Sequence, residues 1–144
     1  MKHNIQSLVD RYAAATSLAA GFLFVCFEDR TICLAQRSKR DLNFPNTWAT
    51  LGGGVKPGEE PIEAAKREVK EETGSLPEIN RIINKYINQD DGFAYVTFVA
   101  ELSLDEKNHW DPKLNRENEQ VKWFSKLPHN LHPGLKKTLK AFAK

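Results

Sequence analysis

Two apolar runs, Leu18 to Phe27 and Thr31 to Gln36, are rich in Phe, Val, Ile and Leu, and the charged Glu28-Asp29-Arg30 separates them. Runs of this length and composition predict two strands of a hairpin. Ile79 to Asn88 and Phe93 to Leu102 repeat the pattern, joined through Gln89-Asp90-Asp91-Gly92, whose Asp-Gly pair is a short-hairpin signal. In the second of these, Tyr95, Thr97 and Val99 alternate with Ala94, Val96, Phe98 and Ala100, which predicts a strand covered on both faces. Glu119 to Phe124 reads as a last short strand. Ile5 to Ala15 reads as a short helix. His132-Pro133 opens another helix to about Lys144, with Leu135, Leu139 and Phe142 on one stripe. Ser38 to Thr47 and Leu104 to Asn118 are polar, contain Pro45 and Pro112, and are predicted as loops. Helices alternating with strands and hairpins predict an α/β fold with a mixed sheet.

The densest pattern lies between Leu51 and Leu76. Three glycines, Gly52 to Gly54, predict a loop, and Pro57-Gly58 marks a turn. Pro61 suits the first turn of a helix, and Gly74 suits its stop, so the spacing predicts a helix over Pro61 to Thr73. On a helical wheel Ile62, Ala65 and Val69 form an apolar stripe, and Glu68, Glu71 and Glu72 gather beside it. Arg67 reaches Glu63 and Glu71, while Lys66 and Lys70 point away. Clustered carboxylates without a counter-lysine repel one another. A hard divalent cation such as Mg²⁺ reverses that sign, binding carboxylate oxygens and keeping waters for a phosphate-bearing substrate.

Composition narrows the classes. A chain of 144 residues suits one domain spanning 1–144, and a net charge of +2 gives no field for nucleic acid or membrane. Cys26 and Cys33 match no metal spacing and fall in strand-like surroundings, which predicts buried free thiols in a cytoplasmic, reducing setting. Ala13 to Phe27 is too short and too interrupted to span a bilayer, and it lacks a cleavage pattern.

Gly53, five residues, Glu59, seven residues, then Arg67-Glu68-Val69-Lys70-Glu71-Glu72-Thr73-Gly74 resembles the Nudix box, the signature of the Nudix hydrolase family. Ser75 stands where that pattern has an aliphatic residue, a departure that touches packing more than chemistry. The resemblance implies a Nudix-type α/β/α sandwich with a mixed sheet. It also implies Mg²⁺- or Mn²⁺-dependent cleavage of the pyrophosphate in a nucleoside diphosphate linked to another group. Glu68 and Glu72 are then the expected ligands of the metal, with a backbone carbonyl near Gly53, and Glu71 is expected to complete a second metal site or to orient water. Arg67 is expected to anchor the glycine segment through Glu59 or Glu71. Glu68, Glu117 and Glu119 are candidate general bases, Glu117 and Glu119 being also candidates for an additional metal-binding acid. Arg37, closing a strand before the glycines, matches a family arginine that faces substrate phosphates. Trp48 matches a family tryptophan and is a candidate base-stacking residue, although an aromatic beside a loop more often packs as core and Leu51 replaces the proline that usually follows.

Subfamily marks are missing: no proline lies between Pro77 and Pro112, as ADP-ribose hydrolases would have, and no tyrosine matches that of diadenosine polyphosphate hydrolases. The expected activity is therefore MutT-like, converting a nucleoside triphosphate to monophosphate and pyrophosphate, by a monomer or homodimer acting on a small nucleotide. The alternatives are a dimeric nucleotide-sugar or dinucleotide pyrophosphatase, or a non-catalytic nucleotide sensor, which typically lacks the box acids present here.

Overall fold

Every residue of Ser17–Cys26 (β1) beyond the first two is buried, because β1 lies at the centre of the sheet with apolar layers on both sides. The computed structural model describes residues 17–90 and 92–142; the helix expected over Ile5 to Ala15, and Asp91 of the Asp-Gly pair, lie outside them. Phe22 and Phe24 point to one layer and Leu23 and Val25 to the other, as strand alternation requires.

Thr31–Arg37 (β2) pairs antiparallel with the end of β1 at Val25↔Ile32 and Cys26↔Thr31. Trp48–Ala49 (β3) then pairs with β2, and Leu51–Gly54 (β4) with β1, so this one segment passes from one strand to its neighbour. Arg81–Asp90 (β5) and Phe93–Glu101 (β6) form the expected hairpin, with Asp90 opposite Phe93 and Gly92 at φ 73°. β6 runs parallel to β1 from Ser17↔Phe93 to Val25↔Glu101, and Asn118–Phe124 (β7) covers the far side of β2. The seven strands form one mixed sheet.

The glycines are strand, not loop. Gly54, Gly53 and Gly52 pair with Ala19, Ala20 and Gly21, and none of the three has a positive φ. Their missing side chains serve close approach. A Cβ on Gly52 would lie 2.3 Å from the Ala20 carbonyl oxygen and 2.6 Å from the Tyr95 hydroxyl, and one on Gly53 would lie 2.4 Å from the Glu68 carboxyl carbon. The turn falls later, at Gly58, with φ 79°.

Pro61–Thr73 (α1) has the bounds its punctuation predicts. Pro61 occupies the first turn. Gly74, at φ 86°, donates its N–H to the Lys70 carbonyl, as a left-handed cap does. Ala65 and Val69 face the core with Phe22, Phe98 and Trp110. Pro133–Phe142 (α3) packs Leu135 on the opposite layer with Leu23, Leu34 and Trp48, completing an α/β/α arrangement. A short helix, Leu104–His109 (α2), stands where loop was predicted. Its signal was Ser103-Leu-Asp-Glu106, and the Ser103 hydroxyl accepts from the Glu106 N–H at 3.0 Å. Ser75 has a specific use: its hydroxyl accepts from the buried Trp110 indole at 3.1 Å. Cys26 and Cys33 are buried free thiols. Among the described residues no helix is long and apolar enough to cross a membrane.

The Gly52 contacts make a test. Gly52→Ala drives a methyl into backbone on β1 and should destabilise by about 3 kcal/mol in urea denaturation. Gly54→Ala meets nothing within 4 Å and should be neutral or slightly stabilising.

Candidate metal and phosphate site

Arg67, on α1, uses all three guanidinium nitrogens. Nε and Nη2 donate to the two Glu59 oxygens at 2.9 and 3.0 Å, and Nη2 also donates to the Gly54 carbonyl at 2.8 Å. Nη1 donates to Glu68 at 2.9 Å and to both Glu71 oxygens at 3.2 Å. The sequence left Glu59 or Glu71 as the partner, and the fork engages both. The Arg67 guanidinium, with the Lys56 N–H behind it, holds the Glu59 carboxyl down at about 2. A planar donor set of this kind fixes strand, turn and helix to one another.

Glu71 is thereby drawn to the outer side of the helix, its side chain half exposed. Glu68 and Glu72 instead meet Glu117, with one oxygen from each lying within 4.8 Å of the others. Of the expected ligands, the structure brings Glu68, Glu72 and Glu117 together, while Glu71 lies with Arg67.

The segment before β7 is sewn to the end of α1. Lys113 N–H donates to the Thr73 carbonyl at 2.6 Å and Asn115 N–H to the Glu72 carbonyl at 3.1 Å, while the Asn115 amide donates to the Glu71 carbonyl at 3.2 Å. Terminal helix carbonyls lack intrahelical partners, and this loop supplies them. A bulge then sorts the acids. Gln36 pairs with Gln120 but Arg37 pairs with Asn118, so Glu119 is the extra residue. Glu119 accepts from the Lys39 N–H at 3.2 Å, away from the trio, and Asn118 donates its amide to Glu72 Oε2 at 2.7 Å. Asn115 and Asn118 were not singled out from sequence; only the pairing of β7 with β2 reveals them.

Glu72 is the unusual member. It is 4% exposed, and among the described residues its buried Oε1 makes no well-formed hydrogen bond, although the Gly52 backbone N–H approaches the carboxylate. Burial pushes its carboxyl up to about 8; the Asn118 bond opposes this, and the Glu117 and Glu68 charges add to it. Glu117 is also raised, first by burial and then by Glu68 and Glu71. A buried oxygen with no well-formed hydrogen bond among the described residues, beside two converging carboxylates, matches the hard-oxygen environment of Mg²⁺ or Mn²⁺.

Glu72 and Glu117 border a cavity of about 400 Å³ lined also by Arg37, Arg40, Asp41 and Arg116, and Glu68 stands behind them. Arg37 bridges to Asp41 at 2.8 Å, and its Nε is buried without a partner among the described residues. Trp48 is a correction to the sequence reading. It is 8% exposed and packs edge-on against Phe124 at 4.8 Å in the layer with Leu135, so its ring is core and not a stacking platform.

The NUDIX domain model matches residues 16–142. The chain belongs to the Nudix hydrolase family. Among curated relatives, this Nudix chain is 34% identical over 109 residues to diphosphoinositol polyphosphate phosphohydrolase 2 of Rattus norvegicus, covering 68% of this chain and 58% of that protein. It thus spans little more than half of that relative's length. The Nudix fold aligns with the MutT protein from Methanosarcina mazei Go1 at TM-score 0.68 and 21% identity, over 89% of this chain and 93% of that one. A C. elegans Ap4A hydrolase aligns at TM-score 0.64 and 23% identity, over 89% and 96%. At such identities these two likenesses concern the fold alone.

The Glu72 environment predicts how the Nudix helix responds to pH. Its folded pKa lies above the ordinary 4.5, so the folded protein holds a proton there that the unfolded chain has released. This contribution to metal-free stability is present at low pH and is lost as pH rises through about 8. Glu72→Gln keeps the shape without the charge. In chelator, its melting temperature should exceed wild type at about pH 9 and converge with it near about pH 5.

Proposed function

We propose that this protein hydrolyses a phosphoric anhydride bond in a nucleoside diphosphate linked to another group, and that the substrate is a nucleoside triphosphate cleaved to monophosphate and pyrophosphate. The observation that carries the reading is the meeting of Glu68, Glu72 and Glu117, two of which, Glu72 and Glu117, line a cavity with three arginines. Glu68, Glu72 and Glu117, with a carbonyl at Gly53, are the proposed holders of Mg²⁺ or Mn²⁺. When bound, the ion neutralises phosphate charge and lowers the pKa of water.

The chain's own residues supply the rest. Arg37, Arg40 and Arg116 receive phosphate oxygens, the forked guanidinium matching them in geometry. Glu117 is solvent-exposed, and its carboxylate stands at the cavity beside Glu68 and Glu72. It is the proposed acceptor of the water proton; Glu119 is occupied with the Lys39 backbone. Arg67 positions Glu68 and the Gly54 backbone and stays off the substrate.

A second reading follows from the relatives' name: hydrolysis of a diphosphoinositol polyphosphate, which would release phosphate directly. A substrate panel with Mg²⁺ separates the two. Phosphate signal from triphosphates that depends on added inorganic pyrophosphatase supports the first. Direct signal from diphosphoinositol polyphosphates alone overturns it in favour of the second.

Two mutational outcomes follow. Glu68→Gln and Glu117→Gln should each lower kcat by about 100-fold or more, excess chelator should abolish turnover, and Glu63→Gln on the outer face should act like wild type. Arg67→Lys breaks the fork while keeping a charge. Mg²⁺ titrations of initial rate should show metal affinity and kcat falling together. A raised KM alone would place Arg67 on the substrate instead.

A further inference from the structure

A second cavity, of about 520 Å³, shares Arg37, Ala49, Thr50 and Gly52 with the first. Its walls differ in kind. Phe44, Phe93, Tyr95, Ala19 and Leu135 line it, and its cations are Arg37 and Lys137, the latter 3.5 Å from Asp90 on the same wall. A densely phosphorylated ring would need more positive charge than this, whereas a flat apolar group suits aromatic walls.

Phe44 stands out within it. It sits between β2 and β3 at φ 54°, a left-handed conformation that is an outlier for a bulky side chain, and half of it is exposed. Thr47 holds it there, donating to the Phe44 carbonyl from its N–H at 3.4 Å and its hydroxyl at 2.7 Å. Strain maintained by surrounding bonds points to a use for the side chain. The ring meets His132 edge to face, with centroids 4.9 Å apart. His132 is fixed in turn: its Nδ1 accepts from the Gly134 N–H at 2.9 Å and its backbone N–H donates to the Trp48 carbonyl at 2.8 Å. Burial and the Arg37 charge hold its imidazole below the usual histidine range, with Asp41 opposing. Asp41 also ties this loop to the arginine cavity, one oxygen taking Arg37 and the other the Asn43 N–H at 3.0 Å.

We propose that Phe44, braced by His132, is the platform on which the substrate's base stacks, taking the role that the sequence suggested for Trp48. This rests on the nucleotide reading above and assigns a planar aromatic leaving half to the second cavity, with the phosphate chain running past Arg37 into the first.

The test compares wild type, Phe44→Gly and Phe44→Tyr. Glycine accepts the left-handed backbone, so the ring is deleted without adding strain. Calorimetric binding with Mg²⁺ uses two probes: the α,β-methylene analogue of ATP and inorganic tripolyphosphate. Phe44→Gly should weaken the nucleotide by about tenfold or more, and Phe44→Tyr should restore it to within about threefold of wild type. Tripolyphosphate, which has no base, should bind all three proteins alike. Equal weakening of both probes would mean that Phe44 only shapes the phosphate cavity, and undiminished nucleotide binding in Phe44→Gly would remove the platform; either overturns this assignment and leaves the proposed reaction standing. A wild type that binds tripolyphosphate but gains nothing from the nucleoside, or that prefers a diphosphoinositol polyphosphate, overturns both.

Discussion

The absence of side chains at Gly52 and Gly53 of β4 is the constraint from which the site follows. Because Gly52 and Gly53 carry no Cβ, α1 lies against bare backbone, the Glu68 carboxylate rests over Gly53, and the Tyr95 hydroxyl crosses the Gly21–Gly52 pair. The same approach brings the Gly54 carbonyl to Arg67 and buries Glu72 beside the strand. Burying a carboxyl with one oxygen short of a well-formed hydrogen bond is unfavourable in an apolar interior. The structure retains it because neighbouring parts are fixed to suit it: Asn118 holds the other oxygen, and Arg67 locks helix, turn and strand around it. A site of this kind exchanges some stability of the empty protein for affinity toward a cation.

Much of this was legible in local chemistry. Pro61 and Gly74 punctuate α1 without reference to anything distant, and alternation along β6 follows from a strand covered twice. The errors share one cause, since each depends on what the residue meets from elsewhere in the fold. Three glycines look like a flexible loop until β1 and Tyr95 are known to lie against them. Glu71 and Glu72 are adjacent in sequence, yet Arg67 holds one in solvent while the segment before β7 helps to enclose the other. Trp48 beside a loop looked available for stacking, but the pairing of β3 with β2 turns it onto Phe124. The convergence of Glu117 on the helix requires a bulge at Glu119, and nothing in the residue types around it announces that extra position.

The two cavities separate two tasks. One gathers carboxylates and arginines, groups whose interactions strengthen where water is scarce. The other offers aromatic walls and few charges. Arg37 borders both, so the two adjoining surfaces share one side chain.

The bulge at Glu119 has a consequence for how such a protein can change. The carboxylates are fixed by strand register and by bonds to the end of α1, so losing or gaining one residue near Glu119 would invert the facing of Asn118 and misplace Glu117 together. The loop carrying Phe44 begins and ends on one rung, where the Arg37 N–H meets the Thr47 carbonyl, and its length can vary without moving that rung. Insertions and deletions are thus filtered unequally across the molecule. Change in the stretch around Phe44 leaves the carboxylate cluster in place, whereas change around Glu119 does not.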